Sequence, residues 1–163
     1  MSIVEAELDL LRALRVSPSI EQPLKAFSKT GEHAAVWLAF GLAGAALDER
    51  RREQWLRATG VVAVAYATNI ALKYVVRRKR PQVDGFPALT KTVTTLSFPS
   101  AHSTTAFAAA RVFSSLLPSW ATGPLYTVAT AMAVSRVALG VHYPTDVIAG
   151  AALGTAIGEV ASR

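Results

Sequence analysis

The sequence predicts an all-α integral membrane protein, a helical bundle of about five transmembrane helices preceded by an amphipathic helix at the membrane interface. Hydrophobic residues make up 52% of the 163 residues and charged residues only 17%, which is unusual for a soluble domain. Basic residues cluster at the ends of the apolar segments, where Lys and Arg meet lipid headgroups. This length fits one membrane-embedded domain over 1–163, with an interfacial segment at 1–30 and a transmembrane core at 31–163.

The N-terminal segment has the pattern of an amphipathic helix. Apolar residues recur at helical spacing between Val4 and Leu14, on the face opposite acidic residues such as Glu7. The segment is too charged to cross a bilayer or to serve as a cleavable signal peptide, so we expect it to lie in the interface. Ser17-Pro18 then breaks the helix, and a second short surface helix is expected around residues 20–27.

Five apolar segments follow, separated by polar turns and one long loop at residues 81–98. Several have uncharged cores shorter than the ~20 residues that cross the hydrocarbon, and flanking Trp, Tyr and Arg side chains would extend them. A soluble bundle with buried small-residue helices is the rival, but it would leave a chain this short too little polar surface. The predicted spans are 34–47, 58–76, 101–117, 125–141 and 147–160, the last beginning near Tyr143.

The charge and the cysteine content exclude several classes of protein. The formal net charge is +6, but no basic stripe is interleaved with aromatic residues, so anionic membrane lipid is a better partner than nucleic acid. The chain has no cysteine, which excludes disulfides and thiolate metal sites.

The first polar motif runs from Lys73 to Pro81, at the end of the second predicted span. If the helix continues to Arg80, the side chains of Lys73, Arg77 and Arg80 share one face, and Pro81 ends the helix. A collar of side chains reaching lipid headgroups explains the cluster when it is taken alone. Lys73, however, lies inside an apolar run, which indicates that it faces a polar cavity.

The second motif is Pro99-Ser100-Ala101-His102, at the start of the third predicted span. Ser100 suits the N-cap position, which leaves the backbone N–H groups of Ala101 and His102 free to face an anion. Taken alone, the motif is also explained by helix capping and by a histidine at the membrane interface.

The third motif is Ser135-Arg136, then His142 and Asp146. The last two are four residues apart, so the Asp146 carboxylate can reach one imidazole nitrogen and leave the other facing a phosphate. A lone pair of this kind would fit a metal-ligand or capping role equally well. Together, the three motifs supply fixed positive charge, hydroxyl and amide donors, two imidazoles and a carboxylate, which suits phosphate capture and phosphoryl transfer.

The order Lys-x6-Arg-Pro, Pro-Ser-x-His and Ser-Arg-x5-His-x3-Asp resembles the type-2 phosphatidic acid phosphatase superfamily. That family holds integral-membrane lipid phosphatases and the related vanadium haloperoxidases. The resemblance covers residues 73–146, about half of the chain. The chain departs from the family pattern at Ala101, where glycine is usual. It also has one predicted span before the span that carries the first motif, where many bacterial relatives have two.

The resemblance implies a role for each motif residue. His142 would attack phosphorus, Asp146 would hold and polarise it, and His102 would protonate the leaving oxygen. Water would then hydrolyse the phosphohistidine, with no metal and no cofactor. The phosphate contacts would come from Lys73, Arg80, Ser100, His102, Arg136 and the backbone N–H of Ala101.

The predicted function is therefore a metal-independent phosphatase acting on a lipid-linked phosphomonoester or diphosphate. Polyprenyl-phosphate sugar phosphates, polyprenyl diphosphates and phosphatidic acid all present the required terminal group. The alternative is a non-catalytic membrane protein that binds anionic lipids, but such a protein does not need a carboxylate-oriented imidazole. A vanadate-dependent peroxidase fits less well, because a site between spans favours a lipid substrate. Small size and Ala/Arg/Val-rich composition resemble a high-GC bacterial branch of the family, proposed to act on decaprenylphosphoryl-phosphoribose.

Two further expectations concern assembly and orientation. Gly150, Gly154 and Gly158 form a small-residue ridge, which we expect to pack within the monomer, with a homodimer seam as the alternative. In a bacterial plasma membrane, the positive-inside bias places the site on the cytoplasmic face, although relatives often work on the outer face. On the site side, apart from the proposed phosphate ligands, are Arg12, Arg15, Lys25, Lys29, Arg77, Arg78, Lys79 and Lys91; on the other are Arg50, Arg51, Arg52, Arg57 and Arg163.

Overall fold

The structure is a computed structural model that describes residues 3–83, 85 and 87–162, without the side chains of residues 3 and 4. Val4, part of the predicted amphipathic face, and Arg163, part of the charge count, therefore lie outside the described side chains. Helices dominate the described residues, and their only strand-like pairing is an isolated bridge between Lys79 and Leu96. The helices are α1 (Ile3–Ala13), α2 (Pro18–Thr30), α3 (Ala35–Leu47), α4 (Arg52–Val76), α5 (Ala101–Ser114), α6 (Thr122–Ala138) and α7 (Pro144–Ala161).

Helix α5 is the centre of the bundle, and α3, α4, α6 and α7 pack around it. Its alanines at 106 and 108–110 are completely buried, because small side chains let neighbouring helices approach closely. At its C-terminal end, the Phe113 ring packs 5.5 Å from the Trp55 ring of α4. A row of small residues thus holds the helices close, and aromatic rings fill the end away from the polar motifs.

The glycine ridge of α7 packs against α5, as predicted. A Cβ atom at Gly150 would lie 2.6 Å from the Ser100 carbonyl oxygen, and one at Gly154 would lie 2.1 Å from the Thr104 oxygen. The two helices run parallel and begin at the same end of the bundle. At the far end, Arg111 Nε donates to Glu159 Oε2 at 2.7 Å, so the charge that α5 carries in its apolar stretch is paired.

The five predicted apolar segments correspond to α3–α7, although their bounds shift by several residues. Among the described residues, one stretch, Glu49–Val76, is both long and apolar enough to cross a membrane. Helix α3 belongs to a shorter apolar segment, Glu32–Leu47, and spans about 20 Å. The number of membrane crossings therefore stays a prediction.

The two N-terminal helices form where the sequence predicts them, but the prediction for α1 is wrong at Glu7. Glu7, expected to face outward, is only 5% exposed and points towards the start of α7, whereas Leu14 is 42% exposed. Glu7 can be buried because Arg78 and Thr145 donate hydrogen bonds to its carboxylate. These donors replace the water that would otherwise solvate it. The interfacial position of α1 stays a prediction.

Helix α4 ends at Val76, the predicted end of the second span, and does not continue to Arg80. Arg77 takes a left-handed backbone conformation (φ 54°) and closes the helix with a backbone hydrogen bond to the Lys73 oxygen. The condition under which Arg77 and Arg80 would share a helical face with Lys73, a helix that continues to Arg80, is therefore not met. Arg80 is instead brought towards Lys73 by an extended segment in which Lys79 pairs with Leu96.

Candidate active site

A cavity opens where α4 ends, α5 begins and α6 passes into α7. Its lining includes six of the eight residues that the sequence singled out, and it does not include Ser100 or Asp146. Four of the six carry a cationic group or an imidazole buried in the protein. The six are Lys73, Arg80, Ala101, His102, Arg136 and His142.

His142 lies in the loop before α7 with its side chain almost completely buried. Its Nε2 atom is 3.0 Å from a terminal nitrogen of Arg80. A guanidinium group can only donate, so Nε2 must be the unprotonated acceptor. The proton of the neutral ring then sits on Nδ1, which lies 3.4 Å from Oδ2 of Asp146.

The pKa of His142 is held well below its ordinary value. Burial is the main cause, and the positive charges of Arg80, Arg136 and Lys73 add to it. The ring is therefore neutral at physiological pH, with a lone pair on Nε2 at the cavity. That is the protonation state a nucleophilic imidazole requires.

Asp146 lies behind His142 and is completely buried. Its carboxylate accepts hydrogen bonds from the Tyr143 backbone N–H and from Arg78, both at 2.9 Å. Among the described residues, Nδ1 of His142 has no partner that meets hydrogen-bond geometry, so the predicted contact with Asp146 is present only at the longer 3.4 Å. Asp146 thus caps α7 and sits beside the imidazole at the same time.

Arg78 and Glu7 complete this rear network, and the sequence motifs did not single out either residue for the site. Arg78 donates to Asp146, and also to Oε2 of Glu7 at 2.7 Å. Glu7 also accepts from the Thr145 backbone N–H at 3.0 Å. The guanidinium carbon lies 3.9 Å from the centre of the Tyr143 ring, a cation–π distance.

The charges of this network stabilise each other. Burial favours the neutral form of Glu7, but hydrogen bonds from Thr145 and Arg78 outweigh it and lower the pKa of that carboxyl. Burial likewise opposes the charge of Arg78, yet Glu7 and Asp146 raise its pKa. Glu7 and Arg78 are therefore both charged, and Arg78 holds Asp146 in place through its hydrogen bond.

The end of α4 at Val76 explains how Arg78 and Arg80 reach the two sides of the His142–Asp146 pair. On a helix, residues two apart point about 200° away from each other, whereas in an extended segment they share a face. Arg78 contacts Asp146, and Arg80 contacts His142. Since Arg77 stops the helix, the two arginines lie on either side of the imidazole–carboxylate pair.

Lys73 has a structural task as well as a place in the cavity. Its ammonium group donates to the carbonyl oxygens of Ser97 and Pro99, at 3.0 and 2.7 Å, and more weakly to Leu96. It therefore fixes the segment that leads into the second motif. Arg80 is tied in a similar way to the backbone oxygens of Thr94 and Val141, and burial lowers its pKa to about 10.

In the second motif, Ser100 caps α5 as predicted, accepting from the Ser103 backbone N–H. Its own N–H donates to the Asp146 backbone oxygen at 2.9 Å, which joins the starts of α5 and α7. His102 faces the other way, and its Nε2 lies 3.0 Å from the carbonyl oxygen of Ser28 in α2. A carbonyl can only accept, so this nitrogen carries a proton.

Ser28 is the third site residue that sequence reasoning missed. It is buried in α2, and its hydroxyl contacts a terminal nitrogen of Arg136 while its carbonyl holds His102. Nε of Arg136 is buried and has no hydrogen-bond partner among the described residues. A buried cationic donor without a partner is costly, and an anion in the cavity would satisfy it.

Comparison with known proteins identifies the family. The sequence profile of the PAP2 superfamily matches residues 54–163, which include all three motifs. The chain belongs to the PAP2 superfamily. Its relatives include the decaprenylphosphoryl-5-phosphoribose phosphatase of Mycobacterium tuberculosis, 43% identical over 91% of this chain and 82% of the relative. A Mycolicibacterium smegmatis protein of the same name is 40% identical over 85% of this chain and 75% of its own length.

Solved structures confirm that the bundle is a PAP2 fold. A transmembrane PAP2-type phosphatidylglycerolphosphate phosphatase from Bacillus subtilis superposes with a TM-score of 0.80 at 24% identity, covering 98% of this chain and 84% of the other. LpxE of Aquifex aeolicus gives 0.78 at 24% identity, covering 95% and 93%. A bacterial vanadium-dependent iodoperoxidase gives 0.79 at 17% identity over 99% of this chain and 48% of its own. At such identities the likeness concerns the fold alone.

The PAP2 match begins at residue 54, so Glu7 and Ser28 lie outside it. Both nevertheless contact motif residues of the PAP2 core, Glu7 through Arg78 and Ser28 through His102 and Arg136. The two N-terminal helices are thus attached to the site, and each supplies one buried polar residue to it.

Proposed function

We propose that this PAP2 protein is a phosphatase that removes the terminal phosphate of a lipid-linked phosphomonoester or diphosphate through a phosphohistidine intermediate. One observation carries the proposal: a neutral, buried imidazole presents an unprotonated Nε2 to a cavity that Lys73, Arg80 and Arg136 also line. Curated relatives covering most of the chain act, by name, on decaprenylphosphoryl-5-phosphoribose. A polyprenyl-phosphate sugar phosphate is therefore the proposed substrate, ahead of polyprenyl diphosphate and phosphatidic acid.

In the first step, Nε2 of His142 attacks phosphorus and forms an N–P bond while the bond to the leaving oxygen breaks. Without substrate, Arg80 donates a hydrogen bond to Nε2. When substrate enters, Arg80 must donate that hydrogen bond to a phosphate oxygen instead. Arg136, with its unpartnered Nε, and Lys73 supply further positive charge. Phosphoryl transfer spreads negative charge over the equatorial oxygens, and fixed cations stabilise that charge.

His102 protonates the leaving oxygen. The Nε2–H group of His102 donates to the Ser28 carbonyl, so Nδ1 is the nitrogen that exchanges a proton with the substrate and with water. In the second step, His102 takes a proton from water, which attacks the phosphohistidine and releases phosphate. The Ser28 carbonyl thus fixes the orientation of the acid, while Asp146 and Arg78 fix that of the nucleophile.

The mechanism needs no metal ion or cofactor. Four cationic side chains and three imidazoles line the cavity beside a single carboxylate, that of Glu32, among the described residues. Such a set neutralises a phosphate directly, whereas a hard divalent cation requires several oxygen ligands.

The function is tested by measuring phosphate release from detergent-solubilised protein on a panel of lipids, with EDTA present. The panel contains a polyprenylphosphoryl 5-phosphoribose, a polyprenyl diphosphate and a phosphatidic acid. We expect release from at least one lipid, inhibition by vanadate and no effect of EDTA. Loss of activity on chelation that Mg²⁺ restores would reject the metal-free mechanism. Binding of all three lipids without phosphate release would favour the non-catalytic alternative.

We also propose that α3–α7 cross a bacterial plasma membrane and that the site faces the cytoplasm. The site-end basic residues support this orientation through the positive-inside bias. The chain has no cysteine, so Thr90→Cys provides a single label in the loop beside the site. No labelling of intact cells by a membrane-impermeant thiol reagent is expected, and labelling would place the site outside.

A further inference from the structure

One wall of the cavity carries polar groups that the phosphoryl chemistry does not use. Glu32 and His33, in the turn between α2 and α3, and Tyr66 of α4 line the same cavity as the proposed nucleophile. His33 is exposed and the other two are partly buried, so all three are within reach of a ligand. Their side chains are neither phosphate neutralisers nor purely apolar surface for a lipid chain.

The wall is held in a defined shape. Nδ1 of His33 lies 2.8 Å from the Tyr66 hydroxyl, and the two rings meet edge to face at 6.0 Å. His33 and Ala34 both take left-handed backbone conformations, with φ of 52° and 60°. Two consecutive non-glycine residues in this region are strained, and such strain persists where surrounding structure enforces it.

The turn lies directly against the proposed acid. A Cβ atom at Gly31 would be 2.7 Å from Cδ2 of His102, so the backbone before Glu32 is in close contact with the imidazole. His102 serves the leaving oxygen in the proposed mechanism. His102 lines the same cavity as the turn and Tyr66, so the group attached to that oxygen enters a cavity that these wall residues share.

We propose that Glu32, His33 and Tyr66 form a subsite for the hydroxyl groups of a sugar that leaves on dephosphorylation. A carboxylate accepts hydrogen bonds, and a phenol both donates and accepts them. A neutral imidazole donates a hydrogen bond at one nitrogen and accepts one at the other. Together they match vicinal hydroxyls, each of which donates and accepts. This inference rests on the proposed function. With such a subsite, the protein would prefer a lipid-linked sugar phosphate to a phosphate carried by an apolar diacylglycerol.

The test compares two substrates in wild-type protein and two variants. Tyr66→Phe removes one hydroxyl and keeps the ring, and Glu32→Gln removes the carboxylate charge and keeps the shape. Tyr74→Phe is the matched control, because Tyr74 lies on the same helix, is 58% exposed and does not line the cavity. The substrates are a short-chain polyprenylphosphoryl 5-phosphoribose and dioctanoyl phosphatidic acid.

We expect each subsite variant to lower kcat/KM on the phosphoribose lipid by about tenfold or more, the effect of one or two lost hydrogen bonds. On phosphatidic acid, kcat/KM should stay within about twofold of wild type, which also shows that the variants fold, and Tyr74→Phe should change neither value.

Equal losses on both substrates would overturn the subsite, because they would indicate a general role of the turn in shaping the cavity. Unchanged turnover of the phosphoribose lipid in both variants would overturn it as well. Wild-type turnover of phosphatidic acid alone would reject the subsite and leave the phosphatase intact. Absence of phosphate release from either lipid by the wild type would overturn the proposed function itself.

Discussion

The two sides of His142 differ in how far their polar groups are satisfied. Behind the ring, Glu7, Arg78 and Asp146 form a closed network in which each charge has an opposite partner. In front, Arg80 and Arg136 face the cavity beside Lys73, and no carboxylate within ion-pair distance of any of the three is found among the described residues. In the same part of the chain, Nε of Arg136 has no hydrogen-bond partner either.

The difference separates structure from binding. Buried ion pairs with good geometry fix positions, and breaking one leaves an uncompensated charge. Buried cations without anions oppose folding and are stabilised when an anion arrives. We therefore expect the rear network to contribute stability and geometry, and the front cations to contribute binding and transition-state stabilisation at some cost to stability.

The largest effect is expected from His142→Ala, which removes the nucleophile that both sides serve. Phosphate release should fall below detection, while the protein stays folded and still binds the phosphate lipid through the front cations. Activity is measured as phosphate release and binding by a detergent-compatible lipid-binding assay. More than a few per cent of wild-type activity would contradict the assignment of the nucleophile.

Removal of a front cation should come next. Arg136→Gln is expected to lower kcat/KM by about 10²–10³, the effect of losing a donor aimed at transition-state charge. The midpoint of thermal unfolding should be unchanged or higher, because a buried and incompletely partnered charge has been removed. A large loss of stability would mean that Arg136 belongs to the structural side of the comparison.

A rear variant should show the opposite balance. Glu7→Gln is expected to destabilise the protein by about 1–3 kcal/mol, because Arg78 loses its buried counter-charge. It should lower kcat by about tenfold with little change in KM, since the imidazole loosens but the phosphate ligands remain. Asp9→Asn, 62% exposed on the same helix and paired with the exposed Arg12, is the matched control; it should change stability by less than about 1 kcal/mol and leave kcat unchanged.

The pH dependence gives the smallest effect and follows from the lowered pKa of His142. The folded ring stays neutral as pH falls through its ordinary value of 6.5, so kcat/KM should not lose the nucleophile there. The unfolded chain does take up that proton, so the free energy of unfolding should decrease as pH falls below 6.5. An acid limb of kcat/KM near 6.5 would contradict the lowered pKa, because His102 as the general acid would limit kcat/KM on the alkaline side.

The sequence predicts the front of the site better than the rear. Lys73, Arg80, His102, Arg136 and His142 converge on one cavity as expected, because motif spacing places each at the end of an apolar helix. Glu7 and Ser28 could not be found in this way. Their contacts to Arg78 and Arg136 span separations of 71 and 108 residues, and helical periodicity cannot tell an outward polar face from one with a buried partner.

The helices themselves were also predicted better than the contacts that decide where a helix ends. The helices form near their predicted positions and the glycine ridge packs inside the chain, because composition and period determine both. The sequence left open whether α4 continues from Val76 to Arg80, because Arg77 gives no signal of a stop. A left-handed conformation at a non-glycine residue is set by tertiary contacts and not by its own propensity.

The left-handed turn at Arg77 also makes the spacing between α4 and Pro81 intolerant of insertions and deletions. Inserting one residue after Arg77 would move Arg78 and Arg80 by one position along the extended segment, and alternation would turn both side chains to its opposite face. Lys79 would then take the position of Arg80 beside His142, which an ammonium group fills poorly. In this part of the chain the number of residues is as constrained as their identity.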